Sequence, residues 1–288
     1  MAAVRDVDSE KDPDELRRVA EQVAADAAEF VRRRRTEITG EAAQTPAVLR
    51  SKSSPTDPVT IADTDTERFV REHLARFRPG EPVLGEELPD GRGTAREGSV
   101  HWVVDPIDGT VNFVYGIPAY AVSVAAQIDG VSVAGAVADV CSGEVYSAAA
   151  GRGAWVSGGV GGDGARTSLR CTAAGELSMA LIGTGFGYQT ARRTAQAALL
   201  AGLLPLVRDV RRIGSAALDL CAVAAGRLDA HYEHGLNVWD WAAGALIAAE
   251  AGAVVVLPDG PAGLLVAAAP GVAAELIAAL QRLAPRIP

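Results

Sequence analysis

The sequence predicts an α/β fold of the α+β kind, in which two sheets are interleaved with layers of helix. Three observations predict it. Short apolar runs, Pro82-Val83-Leu84 and Val100 to Val104, each stop at acidic residues, as buried strands do when they deliver functional groups at their carboxyl ends. Period-two and apolar runs then occupy Ala119 to Ile128, Val131 to Val140 and Glu144 to Ala149, and Asp129-Gly130 between the first two is a two-residue hairpin signal. After these, helical and strand patterns alternate along the rest of the chain, which calls for helices packed on the faces of a second sheet.

Each element has a local cause. Asp12 as N-cap, Pro13 at the first helical position and Asp14 and Glu15 in the first turn start a helix. Leu16, Val19, Ala20, Val23, Ala24, Ala27, Phe30 and Val31 give its apolar stripe, and Arg32 to Arg35 are expected to close it, since cations favour a helix C-terminus. With Glu29 and Glu37 beside them, the four arginines read as a solvated helix end rather than a nucleic-acid or membrane patch. The Ser- and Pro-rich stretch Thr45 to Pro58 reads as a loop, and Thr64-x-x-Glu67 as a capping box opening a helix to about Phe77. Antiparallel sheet is expected between Ala119 and Ala149, followed by a flexible loop from Gly158 to Gly164. The later elements are a strand Met179 to Thr184, a helix Gln189 to Leu206, a helix Ser215 to Ala225 and a strand Leu228 to Tyr232. A helix Trp239 to Ala251, a strand Val254 to Leu257 and a helix Gly271 to Leu283, begun by Pro270, complete the chain. We expect one domain over 1–288, with an α+β half to about 175 and an α/β half from about 176. No internal repeat is present.

The most informative stretch is Trp102-Val103-Val104-Asp105-Pro106-Ile107-Asp108-Gly109-Thr110. If Val100 to Val104 form a buried strand, Asp105 leaves its end, Pro106 withholds a backbone donor, and Asp108 returns toward Asp105 before Gly109 and Thr110 open a helix. A helix start offers N–H groups and partial positive charge to an anion, and hard oxygen ligands beside it suit Mg²⁺. Other acids lie at element boundaries in the same way: Glu86 and Glu87 after Leu84, Asp57 and Asp63 around a helix start, and Asp240 between Trp239 and Trp241, whose rings could shield it from water. Taken singly, each has a plain reading as a solvated turn or a helix cap.

Composition bounds the function classes. At 288 residues and 49% hydrophobic content, the chain can bury a large core. Lys plus Arg 27 against Asp plus Glu 36 gives a net charge of −9, which disfavours general nucleic-acid binding, because phosphate backbones need a basic face. Cys141, Cys171 and Cys221 are odd in number and widely spaced, so reduced thiols are expected rather than a disulfide framework or a zinc site. The charged N-terminus lacks the apolar run of a signal peptide, and no stretch is long and apolar enough for a bilayer. We therefore expect a cytoplasmic protein with no membrane partner.

These blocks together resemble the inositol monophosphatase family of Mg²⁺-dependent phosphomonoesterases, the bacterial inositol-1-monophosphatases in particular. The likeness runs from Lys52 to Thr60 through Glu86-Glu87 and Asp105 to Thr110 to Trp239-Asp240 and Glu250-Ala251-Gly252. One departure is Ala253, where the family usually has a second glycine; only local backbone consequences are expected. The resemblance implies a five-layer α-β-α-β-α fold with the site where the two halves meet, covered by the loop before Pro58. It implies hydrolysis of myo-inositol 1-phosphate and related monophosphates with two to three Mg²⁺ ions, inhibition by Li⁺, and a homodimer. It assigns Glu86, Asp105 and the carbonyl of Ile107 to a first Mg²⁺, and Asp105, Asp108 and Asp240 to a second. A looser third ion would sit beside Glu86. Asp63 and Thr110 would activate water, joined by Glu86 among the catalytic groups. Asp108, Gly109, Thr110 and Asp240 would face the phosphate. Ser215, Ala216 and Glu233 would form the alcohol pocket, with Glu233 accepting a ring hydroxyl, and Glu87 would orient its neighbour.

Alternatives remain at this level. The same machinery could serve fructose 1,6-bisphosphate, histidinol phosphate or a 3′-phosphonucleotide, although a nucleotide pocket wants aromatic surface or added basic groups and aromatics are only 5%. Gly183-x-Gly185-x-Gly187 prompts a dinucleotide-binding reading, but its spacing departs from the G-x-G-x-x-G fingerprint. An interaction protein could dispense with the acids, yet every expected position is filled. His231 and His234 are not expected to ligate metal, because Mg²⁺ prefers oxygen, and His73 and His101 read as surface or packing residues.

Overall fold

In the computed structural model the described residues are 11–42, 49–51, 58–88, 96–159 and 165–283. Helix α1 (Pro13–Ala42) begins where its signals place it, with the Asp14 N–H donating to Asp12 Oδ1 at 3.2 Å. It runs on past the arginine run, because cations stabilise a helix end without terminating it and neither Gly nor Pro intervenes before Gly40. Three of the four arginines are also less solvated than expected. Arg32 reaches the Val140 carbonyl, Arg35 the Phe113 carbonyl, and Arg34 pairs with Asp65.

Strands β1 (Leu49–Ser51) and β2 (Pro58–Thr60) pair antiparallel within the stretch expected to be a loop; its remainder, including Lys52 to Asp57, lies outside the described residues. Helix α2 (Ile61–Phe77) starts ahead of Thr64, so the capping-box expectation fails. Glu67 is instead wholly buried, pairs with Arg71 at 2.8 Å and accepts the N–H of Glu87 at 2.7 Å.

Strands β3 (Val83–Gly85), β4 (Val100–Asp108), β5 (Ala121–Ile128), β6 (Val131–Asp139), β7 (Glu144–Ala149), β8 (Gly153–Gly158) and β9 (Thr167–Ser168) form one seven-stranded sheet in sequence order. Short helix α3 (Thr110–Tyr115) lies between β4 and β5. Only β3 and β4 are parallel there, while β5 and β6 are joined by Asp129-Gly130 with positive φ at both residues, 50° and 80°, the type I′ geometry that suits a twisted hairpin. A second sheet has the order β11-β10-β12-β14-β13, from β10 (Leu181–Thr184), β11 (Asp209–Arg211), β12 (Ala230–His234), β13 (Val254–Val256) and β14 (Leu264–Ala268). Its helices are α4 (Thr190–Leu203), α5 (Ala216–Ala224), α6 (Val238–Glu250) and α7 (Pro270–Leu283). Met179 belongs to a 3-10 turn ahead of β10 rather than to the strand, and Leu204–Leu206 is a 3-10 extension of α4.

Side-chain alternation along the strands builds four interfaces and hence five layers. Trp102, Val104 and Val124 face Leu16, Ala20 and Val23 of α1, whereas Val103, Ala125 and Val137 face Ala217 and Cys221 of α5 and Ala243 and Ile247 of α6. The opposite side of α5 and α6, through Leu220, Val223 and Ala248, meets Leu265 and Ala267 of β14. Val266 and Ala268, one residue out of phase, pack on Leu199, Leu203, Val272 and Leu276 of α4 and α7. Burying each such valine or leucine contributes roughly 1.5–3 kcal/mol. The order α1/α2, sheet, α5/α6, sheet, α4/α7 is the α-β-α-β-α arrangement, with α5 and α6 shared by both sheets. Ala253 is accommodated with its N–H donating to Ala248 at 3.0 Å, and Asp129 is the described non-glycine residue with positive φ.

Candidate active site

Strand β4 does not end at Val104; it continues through Asp108, with its register on β5 broken between Asp105, opposite Ser123, and Asp108, opposite Ala121. Three steps on β4 thus match two on β5, which is a β-bulge. In a regular strand, residues three apart point to opposite faces; the extra residue turns both carboxylates toward one cavity. Pro106 needs no ladder partner, and the Ile107 N–H donates to Asp105 Oδ1 at 3.1 Å. Gly109, with φ 99°, then swings the chain into α3, and a Cβ there would stand 2.9 Å from the Ala119 carbonyl oxygen. Only glycine accepts both demands.

The cavity, about 330 Å³, is lined by Glu86 from the end of β3, by Asp105, Ile107, Asp108, Gly109 and Thr110, by Ser215 and Ala216 at the start of α5, by Glu233 on β12, and by Asp240 on α6. Residues from both sheets and from the shared helical layer therefore meet in one place. Asp63, fully buried in the first turn of α2, reaches the cavity through Thr110, whose hydroxyl lies 3.0 Å from Asp63 Oδ1 and 3.1 Å from the Ile107 carbonyl oxygen. Its single proton serves one acceptor at a time. Glu87 does not line the cavity; its N–H bond to Glu67 holds the turn that carries Glu86.

Neighbouring acids tune one another. Asp108 is pushed up to about 6, first by burial and further by Glu86, against hydrogen bonds from Ser215 Oγ (2.6 Å) and the Ala217 N–H (2.7 Å) to its Oδ2. Asp240 is raised well above the usual carboxylate range by burial and by Glu86 and Asp108, while its Oδ2 accepts the Asn237 N–H at 2.6 Å, capping α6. Glu233 is raised to about 8 by burial, with Asp108 adding to the shift and Arg212 opposing it. Among the described residues, no three His, Cys, Asp or Glu side chains stand already drawn around one point as a metal cage; the acids ring the cavity instead, and Asp105, Asp108 and Asp240 lean on backbone donors. An all-oxygen set of mutually repelling acids fits hard divalent cations, which would relieve that repulsion.

Several placements were not foreseen. Trp239 and Trp241 pack in the interior layer and do not line the cavity. Asp219, Arg192, Arg212, Phe186 and Tyr188 also form its wall. Asp219 carried a signal that could have been read, as the lone acid in the otherwise apolar α5 segment Ala216 to Ala224. Arg192 carried none, since Ala-Arg-Arg-Thr opens α4 like any solvated turn. His73 stacks on Phe69, His101 contacts Gln127, and the fully buried His231 is pushed down to about 3, hence neutral.

A layered α-β-α-β-α fold with acids from both halves around one cavity defines a class of sugar-phosphatase-like proteins. The family model described as "Inositol monophosphatase family" matches residues 12–286. The inositol-1-monophosphatase of Mycobacterium leprae (strain TN) is 62% identical over 285 residues, covering 95% of this chain and 96% of that protein. Inositol-1-monophosphatase SuhB of Mycobacterium tuberculosis (strain ATCC 25618 / H37Rv) is also 62% identical, over 284 residues and the same shares of each chain. The solved structure of Mycobacterium tuberculosis SuhB superposes with a TM-score of 0.80 at 58% identity, covering 95% of this chain and 98% of that one. The chain belongs to the inositol monophosphatase family and is a phosphatase.

Proposed function

We propose that this phosphatase hydrolyses myo-inositol 1-phosphate and related inositol monophosphates to inositol and phosphate, with Mg²⁺ as its metal. The observation that carries this reading is the meeting of Glu86, Asp105, Asp108 and Asp240 around one cavity beside the Thr110–Asp63 hydrogen bond. Phosphate-monoester hydrolysis is among the slowest reactions in water. Glu86, Asp105 and the Ile107 carbonyl would hold one Mg²⁺, Asp105, Asp108 and Asp240 a second, and Glu86 a looser third. Ions bound there would neutralise phosphoryl charge and acidify water at neutral pH.

The protein's own groups supply the remainder. Thr110 orients the attacking water, and Asp63, kept from solvent, takes up its proton through the hydroxyl as the new bond to phosphorus forms and the bond to the alcohol oxygen breaks; the departing alkoxide takes a proton from a second water, whose hydroxide the Asp63 proton then neutralises. Backbone at Gly109 and Thr110 faces the phosphate. Ser215 and Ala217 fix Asp108 in its orientation. On the far wall, Glu233 offers a carboxylate to a polyol hydroxyl, with Ser215 and Ala216 beside it. A homodimer in the cytoplasm belongs to the same proposal, supported by the family relation and the composition; light scattering of the purified chain should give the mass of two copies.

The test is a panel of phosphate esters with Mg²⁺ titration and added Li⁺. Myo-inositol 1-phosphate should show the highest kcat/KM, with activity requiring Mg²⁺ and falling with Li⁺. Brisk hydrolysis of fructose 1,6-bisphosphate, histidinol phosphate or a nucleotide without comparable turnover of the inositol ester rejects the substrate assignment. Phe186 and Tyr188 in the cavity wall favour a nucleoside monophosphate as the second ester to test, because bases stack on aromatic rings.

A further inference from the structure

The glycine pattern Gly183-x-Gly185-x-Gly187 is not explained by dinucleotide binding, yet it has a clear neighbour. A Cβ on Gly185 would stand 2.1–2.2 Å from the Glu233 carboxylate, and one on Gly183 would stand 2.8 Å from Leu228 Cδ1, 3.0 Å from His231 Nδ1 and 3.2 Å from Asp219 Oδ1. Gly183 is also the register partner of His231 across β10 and β12. The two glycines thus leave room for a row of three polar side chains. His231 and Glu233, two apart on β12, point to the same face of the sheet, and Asp219 approaches from α5.

That row is built like a relay of orientation. His231 is 0% exposed, with Nε2 3.6 Å from Glu233 Oε2 and Nδ1 3.7 Å from Asp219 Oδ2. These separations lie just beyond hydrogen-bond length, and both imidazole nitrogens are buried without a hydrogen-bond partner, as is Asp219 Oδ1. Leaving such groups unsatisfied is costly, and an apolar side chain would fill the space without that penalty. An imidazole between two carboxyl groups, both in the wall of the substrate cavity, points to a role in orientation rather than in filling volume.

We propose that His231 is a positioning residue: its Nε2–H holds the Glu233 carboxylate toward the alcohol hydroxyl of the substrate, and Asp219 at Nδ1 sets the tautomer. The proposal rests on the reading of Glu233 as the polyol acceptor. Proton placement is self-consistent. Burial keeps His231 neutral, with one N–H to give; donating it from Nε2 to a Glu233 oxygen leaves Nδ1 to accept from Asp219, whose protonated form burial favours, and the Glu233 carbonyl oxygen can accept while its carboxyl, raised to about 8, still carries a proton. His231 touches neither the phosphate nor the ligand acids, so its influence should fall on recognition of the alcohol.

The experiment measures kcat and KM of the full chain with Mg²⁺ on myo-inositol 1-phosphate and on ethyl phosphate, whose alcohol has no free hydroxyl. His231→Leu should raise KM for the inositol ester by about tenfold with little change in kcat, and the loss should be confined to that ester. His231→Gln, whose amide N–H can still donate to Glu233, should recover most of the KM. An unchanged KM in His231→Leu, equal losses on both esters, or no recovery with Gln overturns the proposal. Glu233→Ala separates the two levels: if it leaves inositol-ester KM untouched, the acceptor reading itself is wrong and the proposal goes with it, whereas a raised KM there with a silent His231→Leu removes only the positioning role. Should the leucine variant not fold, ¹⁵N NMR of the wild-type imidazole decides, since the Nε2–H tautomer is required and the Nδ1–H tautomer excludes the arrangement.

Discussion

Asp105 carries more than any other side chain in this reading, being 1% exposed and fixed by the Ile107 N–H on the bulge of β4. Asp105→Asn keeps shape and the backbone hydrogen bond while removing charge, so turnover of the inositol ester should fall by three orders of magnitude or more, on the order of 4 kcal/mol in the barrier, with the chain still folded. An active variant would remove Asp105 from the shared-ligand role. Glu233 and His231 make a second claim, through pH. Glu233 titrates near 8 instead of 4.5, so between those values the unfolded chain has lost a proton that the native state retains, and stability falls as pH rises. His231 titrates near 3 instead of 6.5, so between those values the unfolded chain binds a proton that the native state refuses, and stability falls as pH drops. The slopes oppose each other between 4.5 and 6.5, giving a flat-topped thermal midpoint profile in chelator. Asp108, raised from 3.8 to about 6, adds a fall with rising pH between those values, Asp219 is raised in the same direction, and Arg212 opposes the shifts of Asp219 and Glu233. Glu233→Gln should therefore weaken the decline toward pH 8, and His231→Gln the acid decline; profiles that overlay the wild type would show that neither group is perturbed as described.

Among the elements, the turn after β3 depends most on a residue outside the cavity. Glu67 of α2 accepts the Glu87 N–H at 2.7 Å, lies 3.3 Å from the Leu88 N–H, and pairs with Arg71, so it aims Glu86 without touching substrate. Glu67→Gln retains one acceptor oxygen and loses the ion pair. We expect a loss of about 1–3 kcal/mol in stability together with a several-fold higher Mg²⁺ requirement, read from urea unfolding and from activation curves; an unchanged Mg²⁺ requirement would confine Glu67 to a stabilising role. Glu67 also illustrates what was legible in the sequence and what was not. Thr64-x-x-Glu67 has the spacing of a cap, but Pro58–Thr60 pairs as a strand and the helix starts earlier, information carried by residues across the fold. The α1 start, the Asp129-Gly130 hairpin and the α6 start were readable because caps and turns are local chemistry. By contrast β11, three residues at a polar sheet edge, β8, bounded by Gly153 and Gly158, and β14, an apolar run equally suited to a helix, have no local signature. Strand β12 starts at Ala230, later than its apolar pattern suggests, and runs on through Glu233 and His234 because their backbones pair with Leu265 and Leu264 of β14, which their polar side chains did not signal. The acids gathered there were readable as types at element ends; their register, created by the bulge, was not.

At the scale of the whole molecule, the cavity sits where the two sheets and the shared α5/α6 layer meet, so cation binding and folding are coupled. Glu86, Asp108 and Asp240 come from separate elements, and Asp108 and Asp240 are each raised by burial and by the charge of Glu86. Folding without a cation must therefore bring like charges together in a sheltered place. Mg²⁺ at about a hundredfold its Kd should stabilise the fold by about 2.7 kcal/mol, raising the thermal midpoint by about 4–5 °C for a chain of this length. Asp240→Asn tests the electrostatic half of this coupling, because an amide oxygen can still accept the Asn237 N–H that caps α6 while one charge is removed. In chelator, at a pH high enough to ionise Asp240 as well as Asp108, the variant should unfold at a higher temperature than the wild type, whereas the rise produced by Mg²⁺ and the turnover should both largely disappear. That exchange of activity for stability is expected wherever a site is assembled against mutual repulsion. If Asp240→Asn instead lowers the midpoint in chelator, the acids are not opposing the fold, and the cation's contribution must come from ordering the chain around the site rather than from neutralising it.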